Sequence, residues 1–231
     1  MRLLVINPNT SRGVTNRIRE AADAMALPGD RFTTLCPAYG PELIVTEQDA
    51  ALARQAVVDT VRGFKGPCDG IVLASFGNTG ADPVRALRPS IPVVGIASAA
   101  FATARALGGP FGIVTFGKGL VPGLQAKVDE AGLSDALLGI SCVAGEEFGD
   151  PGEVQTRFRS ELEALCADMH QRGARSIVMG GGPLAGMARS LAPTCPIPII
   201  DGTQAAISLI RAVAAPRGDH EPRRAAAPAE T

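Results

Sequence analysis

The chain has 231 residues, 46% of them hydrophobic, and its 22 Lys and Arg against 23 Asp and Glu leave a net charge of −1. That length suits one large domain or two small ones with a real apolar core. The balanced charge supplies no basic field for a nucleic acid backbone and no acidic tract for a cationic partner. Five scattered cysteines (Cys36, Cys68, Cys142, Cys166, Cys195) without CxxC spacing read as reduced thiols of a cytoplasmic protein. The two histidines, His170 and His220, lie far from any motif, which argues against a His-based metal site or catalytic triad. The N-terminal apolar run breaks at Asn7-Pro8-Asn9 and is no signal peptide, and no apolar stretch is long enough to span a bilayer, so no membrane partner is expected.

In chain order, "LLVIN" (3–7) is the first strand, and Thr10 and Ser11 open an amphipathic helix. "RFTTLCPA" is a second strand, followed by a long helix with Thr46 at its N-cap and acidic residues in its first turn. "DGIVLAS" (69–75) is a buried strand, and "DPVRALRP" is a short helix stopped by Pro89. "IPVVGIA" is another strand, and "SAAFATARALGG" a helix closed by Gly108 and Gly109. Then the pattern restarts with strand "FGIVTF", a helix, strand "LLGISCV" and a long helix over about 152–172. Strand "SIVMG", a short helix, strand "IPIID" and helix "TQAAISLIRAV" complete it. All-apolar strands alternating with helices predict parallel sheets covered on both faces. The tail from about residue 216, rich in Pro, Ala and charge, reads as disordered.

The restart has a fixed offset. "IVLAS" begins at Ile71 and "IVMGG" at Ile177, 106 residues later; "IPVVGIASAA" begins at Ile91 and "IPIIDGTQAA" at Ile197, again 106. Two blocks with one offset imply two homologous halves related by a pseudo-twofold axis. Ligand sites of such α/β units sit at the carboxyl ends of the strands, so the two halves are expected to enclose one cleft. The same shift lays "SFGNTG" (75–80) on "GGPLAG" (181–186) and places Ser75 opposite Gly181. Two groups facing each other in this way suit chemistry on opposite faces of one carbon, with a proton removed from one side and delivered from the other.

The stretches "INPNTS" (6–11), "VLASFGNTG" (72–80), "VVGIASAA" (93–100), "GIVTF" (112–116) and "PIPIIDGTQAA" (196–206) resemble the aspartate/glutamate/hydantoin racemase superfamily, above all its hydantoin and allantoin racemase branch. The resemblance covers nearly the whole chain except the tail. It implies an α/β fold of two pseudo-symmetric doubly wound subdomains, each with a parallel four-stranded sheet, and an active-site cleft between them. It implies a first half over 1–97, completed by the helix at 203–215, and a second over 98–202. It implies cofactor-independent isomerase or racemase chemistry on a small molecule, with no metal, in a homo-oligomer. Racemases of this family carry one Cys in each half; here those positions hold Ser75 and Gly181, or its neighbour Gly182. A Ser hydroxyl is too weak an acid to serve as an isolated base, unlike a thiol with a pKa of about 8.5, and Gly has no side chain, so two-thiol racemisation is not expected.

Around those positions the substrate contacts expected are Asn7, Asn9, Thr10, Asn78, Thr79, Thr115 and Gly182. The amides of "INPNTS" beside a helix start would hold a carboxylate, imide or ureido group, or else form a plain capped turn. Ser75, Asn78 and Thr79 would bind an anionic group, or Thr79 would cap the next helix. As a nucleophile Ser75 lacks any adjacent His. The run 180–183 is either a tight turn with Pro183 at the first helical position or a donor-lined anion hole. Asp201 is expected to cap the last helix rather than face the cleft, and Glu42, Glu47 and Tyr39 are candidates for the cleft mouth. Three readings remain open at this level. They are a divergent enzyme on a small carboxylate or cyclic ureide, including a non-racemising decarboxylase, lyase or isomerase; a small-molecule binding module; and a hydrolytic use of Ser75.

Overall fold

The computed structural model describes residues 1–144 and 149–214; the expected disordered tail, 216–231, lies outside them. The first half runs β1 (Arg2–Ile6), α1 (Arg12–Asp23), β2 (Arg31–Leu35), α2 (Glu47–Gly63), β3 (Gly70–Leu73), α3 (Ala81–Leu87), β4 (Val93–Gly95) and α4 (Ile96–Leu107). The second runs β5 (Phe111–Thr115), α5 (Val121–Glu130), β6 (Leu137–Cys142), α6 (Val154–Arg157), α7 (Arg159–Gln171), β7 (Ser176–Met179), α8 (Met187–Leu191), β8 (Ile199–Ile200) and α9 (Gly202–Val213). The strands form two four-stranded sheets, ordered β2-β1-β3-β4 and β6-β5-β7-β8, with every pair parallel. This is the α/β architecture expected from the sequence. β3 and β7 are buried at every residue, as apolar strands covered by helices on both faces must be.

The sequence repeat is a repeat in space. β7 begins at Ser176, 106 residues after β3 begins at Gly70, and α9 (202–213) lies 106 residues beyond α4 (96–107) at both ends. α3 and α8 are each preceded by a left-handed glycine at the same offset, Gly80 with φ 81° and Gly186 with φ 85°. Glycine adopts that conformation without the Cβ penalty other residues meet. The two connecting helices change partners: α4 packs against β7 and α9, while α9 packs against β3, β4 and α1. Arg211 of α9 donates to Asp30 (2.6 Å) and to the Met25 carbonyl (3.0 Å), pinning the last helix to the first half.

The halves approach to backbone contact. A β-carbon on Gly202 would lie 2.8 Å from the Ile96 carbonyl oxygen. Ile96 and Gly202 are equivalent under the repeat, so their contact lies on the pseudo-twofold axis. On the flank, Gly13 of α1 meets Gly152, where a β-carbon on Gly13 would lie 2.8 Å from the Gly152 α-carbon.

Two elements differ from the sequence reading. The strand expected over "IPVVGIA" ends at Gly95, because its ladder with β3 ends where Leu73 pairs with Gly95, and Ile96 already starts α4. The long helix expected over 152–172 is a 3-10 turn (Pro151–Glu153), α6 and α7, with a break at Phe158 (φ −112°, ψ 20°). Its first turn is held on α1 by the Gly13–Gly152 contact and its remainder packs on β5 and β6, so one straight helix would not satisfy both.

Gly202→Ala places a methyl against the Ile96 backbone on the axis and lowers stability by about 1–3 kcal/mol despite the better helix propensity of Ala, measured as a shift in urea midpoint; an unchanged or higher midpoint would contradict this packing.

Candidate active site

The loops that follow β1, β3, β5 and β7 converge on one cavity of about 400 Å³. The first half contributes Asn9, Ser75, Phe76 and Thr79, the second Phe116 and the run 180–183, and the segment before α2 covers the mouth with Leu43, Ile44 and Val45. α5 adds Leu124 to an otherwise apolar wall.

Asn7 is fully buried and does not line the cavity. Its Nδ2 donates to Asn9 Oδ1 (2.8 Å), the Ser11 carbonyl (3.2 Å) and Thr15 Oγ1 (2.9 Å). Asn9 Oδ1 also accepts from the Ser11 N–H (3.0 Å), so the amide of Asn9 is oriented by its oxygen. Its Nδ2 group, on a cavity-lining residue, makes no hydrogen bond to any described residue. Asn7 therefore positions and Asn9 presents. Thr10 sits outside the cavity and ties the loop to the segment before α2 through its N–H to the Pro41 carbonyl (3.0 Å). Ser11, not Thr10, caps α1, accepting from the Val14 N–H.

Ser75 and Thr79 share a 2.8 Å hydroxyl–hydroxyl hydrogen bond at the cavity wall, and Ser75 Oγ accepts from the N–H groups of Gly77 (3.2 Å) and Thr79 (3.4 Å). Thr79 is not the cap of α3; that position is Gly80. Asn78, at φ 51°, faces away from the cavity: its Oδ1 takes the place a β-carbon on Gly95 would need, and its other neighbour is Ser98. The repeat explains this. Gly95 corresponds to Asp201, whose carboxylate caps α9 by accepting from Thr203 N–H (2.8 Å) and Gln204 N–H (3.0 Å) and also holds the Gly186 N–H. The Asn78 amide takes the space that the missing side chain leaves in the first half. Burial raises the Asp201 carboxyl above its ordinary value, and its three backbone donors pull the other way.

In the second half Thr115, the counterpart of Asn7, is also fully buried and also positions: its hydroxyl donates to the Gly180 carbonyl (2.6 Å). The loops after β3 and β7 share one turn. The Asn78 N–H donates to the Ser75 carbonyl (3.3 Å) and the Leu184 N–H to the Gly181 carbonyl (3.0 Å). The N–H groups of Ser75, Phe76, Gly181 and Gly182 find no hydrogen-bond partner among the described residues. All four residues line the cavity, so main-chain donors without internal partners lie at its wall, a kind of group that binds a carbonyl or carboxylate oxygen.

Gly181 is more than a position without a side chain. Its φ is 143°, and a β-carbon there would lie 2.8 Å from the ring of Phe116. At Gly182 the backbone is ordinary and a β-carbon would sit 3.3 Å from the Ala74 carbonyl. Among the described residues the titratable groups lining the cavity are Glu47 and Lys127, and Lys127 is paired with Glu130 at 2.6 Å. Glu42 and Tyr39 do not line it; the Tyr39 hydroxyl donates to Asp59 (2.7 Å). Phe116 and the apolar wall had no sequence signal beyond their place after a strand or in a helix.

These geometries set a pair of outcomes. Gly181→Ala forces a strained φ and a clash and costs about 1–3 kcal/mol in urea denaturation. Gly182→Ala stays within about 1 kcal/mol of the parent. Equal costs would refute the distinction.

Comparison with known proteins agrees with the geometry. The profile of the family described as Asp/Glu/hydantoin racemase matches residues 3–210. The chain is 31% identical over 221 residues to a hydantoin racemase of Paenarthrobacter aurescens, covering 93% of this chain and 92% of that one. The structure of an allantoin racemase from Klebsiella pneumoniae superposes with a TM-score of 0.82 at 30% identity, covering 92% of this chain and 86% of that one. Arylmalonate decarboxylase shares the fold, with a TM-score of 0.65 at 18% identity over 94% of each chain. No helix among the described residues is long and apolar enough to cross a membrane.

Proposed function

The chain belongs to the Asp/Glu/hydantoin racemase family, and from that premise we propose that its cleft activates the carbon beside a carbonyl in a small carboxylate or cyclic, hydantoin-like ureide. Asn9 Nδ2 and the N–H groups of Ser75, Phe76, Gly181 and Gly182 hold the carbonyl oxygen, and they hold it more strongly as negative charge builds on it in an enolate. The apolar wall of Leu124, Phe116 and Val45 takes an uncharged substituent. The observation that carries this reading is the collection of internally unpaired donors around one cavity.

The two faces of the bound carbon are not equivalent. Ser75 and Thr79 offer hydroxyls from the first half, whereas the equivalent loop of the second half offers main chain at Gly181 and Gly182, and Lys127 of that half is paired with Glu130. Side-chain proton delivery therefore comes from one face. The scarcity of titratable groups in the cavity favours a second reading, decarboxylation. Breaking the bond to a carboxylate expels carbon dioxide and leaves its electron pair in the enolate. The carbon then takes a proton from the Ser75 hydroxyl, which water replenishes, and no base is needed. The same proposal sets the enzyme in the cytoplasm, supported by its five free cysteines, and in a homo-oligomer, supported by the family resemblance.

The test is proton NMR in deuterium oxide with hydantoins, allantoin, aspartate, glutamate and malonates. Loss of the α-proton signal or appearance of a decarboxylated acid is the expected result. Binding without either, seen only as line broadening, would replace the enzyme with a binding module. Ser75→Ala lowers the observed rate by about 10- to 100-fold in protein that remains folded at the assay temperature, the lost acceptor for the Gly77 and Thr79 N–H groups costing about 1–2 kcal/mol of stability. A rate unaffected by Ser75→Ala would remove that residue from the mechanism.

A further inference from the structure

On the opposite side of the glycine loop from the active-site cavity lies a second groove, of about 450 Å³, between the halves. Three guanidinium groups line it, each from a different helix: Arg17 of α1, Arg159 of α7 and Arg189 of α8. Arg17 is held in place, with its Nε donating to the Gly152 carbonyl (3.4 Å) and an Nη to Thr156 Oγ1 (3.3 Å). Arg189 is exposed and makes no hydrogen bond or ion pair with any described residue. The neutralising charge is thin. Glu20, the one acid lining the groove among the described residues, is 3.9 Å from Arg17 and 71% exposed, a separation and setting in which an ion pair contributes little. Arg159 is paired with Glu163 outside it at 3.0 Å.

Glu163 already offsets Arg159, which leaves Arg17 and Arg189 facing one concavity with only weak counter-charge, and an oxyanion supplies the missing negative charge. Guanidinium forks match the oxygens of phosphate and carboxylate in paired hydrogen bonds. We propose that this groove binds a small multivalent oxyanion, a phosphate group or a di- or tricarboxylate. Its position gives such binding a route to the active site. The loop that lines the active-site cavity at 180–183 lines the groove at Ala185 and Gly186. Gln155, also in the groove, donates to the carbonyls of Pro183 (2.8 Å) and Ala185 (2.7 Å) of that loop. Arg17 holds Gly152 and Thr156, which flank Gln155, and Arg189 lies in the helix that follows the loop, so an anion that steadies both steadies the support of this loop.

The full chain is titrated with inorganic phosphate and, separately, with citrate at constant ionic strength, followed by amide NMR. Saturable binding of either probe is expected, with the largest shifts at 185–190 and slower amide exchange at Gly181 and Gly182. Saturation by citrate alone identifies a polycarboxylate ligand; saturation by phosphate identifies a phosphate-bearing one. Arg189→Gln, which removes no internal contact and leaves the fold intact, weakens the binding at least tenfold, and Lys65→Gln, at an exposed site elsewhere, leaves it unchanged. No saturable binding of either probe, or equal binding by the parent and Arg189→Gln, would overturn the proposal. The active-site residues are untouched by these variants, so the outcome is independent of the reaction assigned to the cleft.

Discussion

The fold depends on how closely two backbones approach each other. At the pseudo-twofold axis Ile96 and Gly202 touch through main chain, and Gly13 and Gly152 touch on the flank. Each contact is possible because at least one partner lacks a β-carbon, since packed interiors have no room for an added methyl without displacement. This places the strand ends of both halves around one cavity. It also makes the partner exchange of α4 and α9 workable, because each helix starts on the axis and crosses to the other half.

Given that frame, the polar side chains divide into those that hold and those that present. Asn7 and Thr115 occupy corresponding positions at the ends of β1 and β5 and are both fully buried, and both spend their hydrogen bonds on the loop beside them. Asn9 and the Ser75–Thr79 pair face the cavity instead. Ser75 and Gly181 occupy corresponding positions, and the difference between them goes beyond a missing group. At Gly181 the backbone lies in a region that glycine tolerates, and the Phe116 ring fills the space beside it. The second half of the cleft is lined there by main chain and an aromatic ring.

Much of this was legible in the sequence. The 106-residue offset paired the third and fourth strands of the two halves, because a repeat of chain implies a repeat of fold, whereas the matching ends of α4 and α9 emerged only in the structure. The capping of α2 by Thr46 and of α9 by Asp201 followed from side chains that accept backbone N–H bonds at helix starts. Asn78 and Thr79 were less legible. Both sit in one polar turn, and a turn carries no sign of which way its residues face. Asn78 turned outward because Gly95 leaves a space beside α4, a fact that depends on a residue 17 positions later in the chain.

The sequence alone determined the α/β class, the parallel sheets, the two-fold repeat and the equivalence of Ser75 with Gly181 under that repeat, since periodicity, capping and repetition are local or one-dimensional properties. Tertiary structure alone decided which polar groups are spent internally and which remain free. It decided that Gly181 cannot carry a side chain at low cost while Gly182 can, and that three arginines from distant segments share a groove. Hydrogen-bond accounting, steric room and the summing of charge all depend on which residues are neighbours in space, and no spacing along the chain records that.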